Sequence, residues 1–315
     1  MDRRPERYPI RFDSRLVEDA VLLAEPGLHP LLRLRFRRER DALYRLEDLE
    51  ERDLEFALLH QRWFGAMELG EPLALAIREH WGLVASTNRC LVLPAVSAGD
   101  EDADLREERP APDTDPLDRG HDADGRLTIV IRVRSKTIAE RAAFQGFLDH
   151  EFLHVADMLD PGFGYCAELP ALEGGPARLR QAQNRYRVLW DCTIDGRLHR
   201  QGKVPPELVR RRRQEFEASF PELGAAIEPE FQRWFEGPRP THDEILRASC
   251  NSAPRSLSGI CPLCRFPYPS LNTAAASTHG ILAEIRADFP SWSPEHGICI
   301  PCVDLYQARL VDARP

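Results

Sequence analysis

Residues 150–154 read His-Glu-Phe-Leu-His, two imidazoles with a carboxylate next to the first. On a helix, positions four apart lie one above the other on the same face, so His150 and His154 can each offer a nitrogen to one cation. Glu151 then stands beside that cation, placed to take a proton from bound water. This is the chemistry of zinc-dependent hydrolysis: Zn2+ lowers the pKa of its water to about 7 and polarises a carbonyl, while Glu151 serves as general base. A catalytic zinc uses three protein ligands and keeps a fourth position open, so a third ligand must come from elsewhere.

The run that would supply it locally, with glycine and then histidine after the second ligand, is absent: positions 157 and 160 are Asp157 and Asp160. Asp160 is a minor candidate, and Asp157 a candidate to orient a ligating histidine. The better source is the stretch Leu189 to His199, where Asp191 and Asp195 are four apart and share a helix face. One of the pair can bind zinc while the other steers a ligating imidazole, which needs an acceptor to fix its tautomer and direction. Trp190, Ile194 and Leu198 form an apolar stripe that turns this helix inward.

Near the C-terminus, Cys261-Pro-Leu-Cys264 and Cys299-Ile-Pro-Cys302 are two CxxC pairs separated by 34 residues. Each pair forms a turn presenting two thiolates, and two such turns complete a tetrahedral structural zinc site. So small a module cannot hold together by apolar burial alone, and zinc binding is expected to supply much of its folding energy.

The HExxH motif followed by a helix with spaced acidic residues resembles the gluzincin plan. That resemblance implies a zincin-like metallopeptidase with Asp191 as ligand and Asp195 as support, Asp replacing the usual Glu. Trp190-Asp191-x-Thr193-x-Asp195 also resembles a Trp-Asn-x-Ala-x-Asp segment of predicted bacterial metallopeptidases linked to von Willebrand-type domains, and on that register Asp195 is the ligand. The two registers disagree, with Asp195 slightly preferred. HExxH followed by a zinc ribbon is similar, too, to SprT-type proteases that degrade DNA-bound proteins. Those carry a third histidine shortly after the motif, whereas none occurs here between His154 and His199.

The elements that must position these groups read as mostly helical. Residues 14 to about 83 show helical apolar spacing, with Ser14 as a candidate cap and Leu43, Leu46, Leu49, Leu54, Leu58 and Leu59 along residues 38–67. Residues 90–96 and 127–133 read as strands, the second rich in β-branched residues and leading into the motif helix, roughly 138–159. That second strand is expected to form a sheet edge, which in zincins binds extended peptide by strand addition. Asp160-Pro161-Gly162 ends the motif helix. Further helices are expected from Pro176 to about Gln201, over 207–220 and 225–236, after a capping box at Thr241 and Glu244, and around 276–288. Four consecutive arginines, Arg210 to Arg213, wrap around a helix and are expected to be solvated.

The fold expected is α+β: a mostly helical zincin-like domain with a small sheet over 1–250, followed by a four-cysteine zinc module over 256–312. The net charge of -9 is mostly local, since residues 98–126 hold eleven Asp or Glu against four Arg. With few aliphatic residues, that segment is expected to be a flexible loop. Nothing in the charge favours nucleic acid, and no apolar run suits a signal peptide or membrane span. A cytoplasmic enzyme acting on protein or peptide is the expectation. The alternative is a non-catalytic binding or adaptor protein whose HExxH site is structural or inactive.

Overall fold

In the computed structural model, residues 4–108, 126–167, 175–250, 259–268, 271–272 and 279–312 are described. The fold is α+β, mostly helical with a small mixed sheet. The chain divides into two compact units, Met1–Pro161 and Gly162–Pro315. The boundary falls at Asp160-Pro161-Gly162, where proline and glycine stop the motif helix.

The first unit runs β1 (Ile10–Phe12), α1 (Ser14–Ala24), α2 (Pro30–Leu43), α3 (Leu49–Ala66), α4 (Glu71–Glu79), α5 (Trp81–Val84), β2 (Arg89–Pro94), β3 (Asp102–Glu108), β4 (Arg126–Val133), α6 (Ser135–Ala139) and α7 (Arg141–Leu159). Asp13, not Ser14, caps α1: its carboxylate accepts the N–H groups of Arg15 and Leu16. The helical pattern expected over 38–67 breaks between α2 and α3, where Asp48 caps α3 through the N–H groups of Glu50 and Glu51. Of the six leucines that carried that pattern, only Leu59 is buried.

The sheet order is β1-β2-β4-β3, parallel except for antiparallel β3. Strand β4 therefore lies inside the sheet and is buried on both faces (Thr128, Ile129, Val130, Ile131 and Val133). The sheet edge expected at 127–133 belongs instead to β3, drawn from the acidic segment expected to be a loop. Residues 109–125 of that segment lie outside the described residues.

Charge pairing explains why this acidic stretch becomes a strand. Arg132 of β4 donates to both oxygens of Asp102, at 2.9 and 3.0 Å. Glu101 accepts from the Arg134 side chain at 2.9 Å, the Arg134 backbone at 3.0 Å and the Thr137 hydroxyl at 2.6 Å. Burial alone would push the Glu101 carboxyl up, but these hydrogen bonds hold it below its ordinary value.

The second unit runs α8 (Gly175–Arg200), α9 (Pro206–Ser219), α10 (Ile227–Phe235), α11 (His242–Cys250), β5 (Gly259–Ile260), β6 (Pro267–Tyr268), α12 (His279–Asp288) and α13 (Ile300–Asp312). Gly202, at φ 71°, follows α8 as a left-handed helix stop. The capping box expected before α11 is present: Thr241 and Glu244 exchange backbone-to-side-chain bonds at 2.8 and 3.3 Å. Strands β5 and β6, α12 and α13 enclose a separate small core around the four cysteines, including Phe266, Ile281, Ile285 and Tyr306. Arg185 of α8 reaches that core. Its fully buried guanidinium lies 4.1 Å from the Phe266 ring centroid and is paired with Glu222 at 2.8 Å.

Gly196 lets α10 approach α8. A Cβ at this position would lie 1.7 Å from the carbonyl oxygen of Phe235, so glycine sits mid-helix despite its propensity cost. Gly196→Ala must push α10 outward, and we expect it to lower the unfolding free energy by about 3 kcal/mol, the upper range for overpacking. Urea denaturation checks this; an unchanged midpoint would mean the helices can part without loss.

Candidate metal centre

Helix α7 carries three kinds of side chain in three directions, because each residue advances about 100° around the axis. Phe144, Leu148, Phe152 and Val155 share a seam buried in the core. His150, His154 and Asp157 line a second seam on the far side. Glu151 points between the two, toward β3, where its Oε2 accepts the N–H of Ala103 at 2.9 Å. That N–H is consequently turned away from β4, so Glu151 holds one of the outward-facing donors of the edge strand.

The Nε2 atoms of His150 and His154 are 3.1 Å apart. Two nitrogens bound tetrahedrally to zinc at ordinary bond lengths are separated by about 3.3 Å, so the spacing fits a shared ion. His154 is buried and His150 half-buried. Asp191, carried by α8 of the second unit, completes the group of candidate metal ligands. Asp195, slightly preferred from sequence, is not in that group. Neither is Asp160, at the end of α7, nor Asp157. The last is buried at 1% exposure, so it is no ordinary surface acid.

What occupies Asp195 is an arginine that the sequence reading left in solvent. Arg212 of α9 donates from Nε to Asp195 at 2.7 Å and from Nη1 to Asp191 at 2.9 Å, and also reaches Glu215 at 2.6 Å. The side chains of Arg210, Arg211 and Arg213 are 71%, 64% and 53% exposed, whereas that of Arg212 is 8% exposed. The expectation of a solvated run is therefore corrected at one position of four. The signal was present in the sequence: Arg212 is three residues after Val209 and four before Phe216, in register with the inward face of α9. Burial alone would lower the guanidinium's pKa, but Asp191, Asp195 and Glu215 raise it above its ordinary value, and it stays charged.

Cys192, between the two aspartates, is a buried thiol pushed up by desolvation and stays protonated. On another side of α8, Trp190 stacks on Phe163 and packs with Tyr165 and Tyr186, while the Tyr186 hydroxyl bonds His242 Nδ1 at 2.7 Å. Sequence reasoning missed this aromatic group, whose members are scattered in the chain.

The four cysteines of the C-terminal module come together and are buried. Sγ separations of 3.9 Å (Cys261 to Cys302) and 3.7 Å (Cys264 to Cys299) match the roughly 3.8 Å edge of a tetrahedron with zinc–sulfur bonds of about 2.3 Å. The donor set and spacing both fit a structural zinc.

No family model matches the chain, and neither the curated proteins nor the solved structures include a match to it. No helix among the described residues is long and apolar enough to cross a membrane.

Removing Arg212 takes away the guanidinium that two buried aspartates share. Arg212→Met is expected to cost about 3–5 kcal/mol of stability in metal-free protein, the range for breaking a buried ion pair from one side. Arg212→Lys should recover less than half of it, since an ammonium cannot bridge both carboxylates as a planar fork does. Denaturant unfolding in the presence of chelator measures both, and a lysine variant as stable as wild type would contradict the bridging role.

Proposed function

We propose that this chain hydrolyses peptide bonds with a zinc ion held by His150, His154 and Asp191. The observation that carries the reading is the 3.1 Å spacing of the His150 and His154 Nε2 atoms on α7, with Glu151 beside the first histidine. Asp195 acts with Arg212 to hold Asp191 in place rather than as a ligand. When bound, zinc supplies Lewis acidity and makes water acidic enough to lose a proton near neutral pH. Glu151 accepts that proton and returns it to the leaving amine.

Substrate recognition follows from the edge strand. An extended peptide can pair with the outward side of β3 beyond Ala103, whose own N–H is taken by Glu151. The carboxylate of Glu151 is thereby anchored at the line where a scissile bond would run. Cys261, Cys264, Cys299 and Cys302 hold a second, structural zinc.

Glu151→Gln separates this reading from that of a binding or adaptor protein with an inert HExxH group. The substitution keeps shape and zinc but removes the base. Cleavage of an unstructured peptide mixture, followed by mass spectrometry, should fall at least 100-fold, in the range for loss of general-base catalysis. Equal cleavage by both proteins, or none by wild type loaded with zinc, would favour the adaptor reading.

A further inference from the structure

The four-cysteine module carries an open pocket of about 410 Å³ on its surface. Ile260, Pro262 and Phe289 form apolar walls, and Arg265, Trp292 and His296 bring polar groups to it. The indole N–H of Trp292 is buried and has no hydrogen-bond acceptor among the described residues, and the residue as a whole is only 6% exposed. An indole nitrogen can only donate, and a buried donor left unmet costs about 1–3 kcal/mol. Such a group marks a place where an acceptor is missing.

The other polar groups have the same sense. His296 Nδ1 accepts the backbone N–H of Ser293 at 3.2 Å, which places the neutral ring's proton on Nε2 as a donor. Arg265 is exposed and sits at φ 62°, a left-handed conformation that favours glycine, directly after the first cysteine pair. Its guanidinium has no ion pair among the described residues and can only donate. The Ser291 hydroxyl, also in the lining, can donate as readily as accept. Three donors, one of them a fixed positive charge, line the pocket, and no acidic residue is among its lining residues. The complementary ligand is an anion with acceptor oxygens attached to an apolar body.

We propose that this pocket binds the C-terminal residue of a polypeptide, its carboxylate on Arg265, Trp292 and His296 and an apolar side chain against Ile260, Pro262 and Phe289. Sites for free metabolites enclose most of their ligand. Here Arg265, Ser291, His296 and Ile260 are exposed, so the pocket opens to solvent, and a chain end can enter while the rest of the chain continues outward. The module would thus recognise exposed chain ends. This goes beyond the hydrolytic reading and does not depend on it.

The test is binding, not turnover. Full-length protein with 15N-labelled tryptophan is titrated with a hexapeptide ending in a free leucine carboxylate, with its C-terminal amide, and with N-acetyl-leucine. The Trp292 indole resonance, assigned by its loss in Trp292→Phe, should move downfield with the free-carboxylate hexapeptide. Amidation should weaken binding at least tenfold, and so should Arg265→Gln, a change on an exposed side chain that spares the module's core. No shift of that resonance, or equal binding of acid and amide, would overturn the proposal. Binding of N-acetyl-leucine as tight as that of the hexapeptide would overturn it as well, pointing to a free carboxylate.

Discussion

Burying carboxylates is costly, and this chain buries Asp191 and Asp195 four residues apart on one helix. The guanidinium of Arg212 makes that possible. By bridging both aspartates it fixes one oxygen of each. Two residues that look equivalent in sequence differ here: Asp195 is fully enclosed with the arginine, while Asp191 counts among the candidate metal ligands. A neutral pair at this position would orient nothing. An unpaired one would not stay both buried and charged.

The edge of the sheet is the second constraint. A strand as acidic as residues 102–108 would repel itself in isolation, yet Arg132 and Arg134 of the neighbouring segment and the Thr137 hydroxyl absorb Asp102 and Glu101. Antiparallel β3 thereby closes over apolar β4 and turns an N–H toward Glu151. The same pairing that makes the strand thus sets the direction of the proposed base.

Several features were legible in the sequence because they depend on local spacing. HExxH on a helix, the CxxC pairs, the β-branched run at 127–133 and the capping box at Thr241 rest on residues within a few positions of one another, and periodicity suffices. The pairing of Asp191 and Asp195 with Arg212 was not legible, because that arginine lies 17 residues beyond the nearer aspartate and is hidden in a run of exposed arginines. The strand at 102–108 was missed for a related reason. Its composition argues for a loop, and only partners 30 or more residues away neutralise it. The pocket at Trp292 likewise joins residues from both sides of the cysteine turns, and no spacing rule connects them.

The central claim is that His150, His154 and Asp191 bind a metal of their own, apart from the four cysteines. Zinc content per chain, by elemental analysis of purified wild type, His150→Ala, Asp191→Ala and Asp195→Asn, tests it most directly. The account predicts about two zincs in wild type and in Asp195→Asn, and about one in each of the other two variants. About one zinc in all four proteins would contradict it, leaving the cysteine module as the sole metal site.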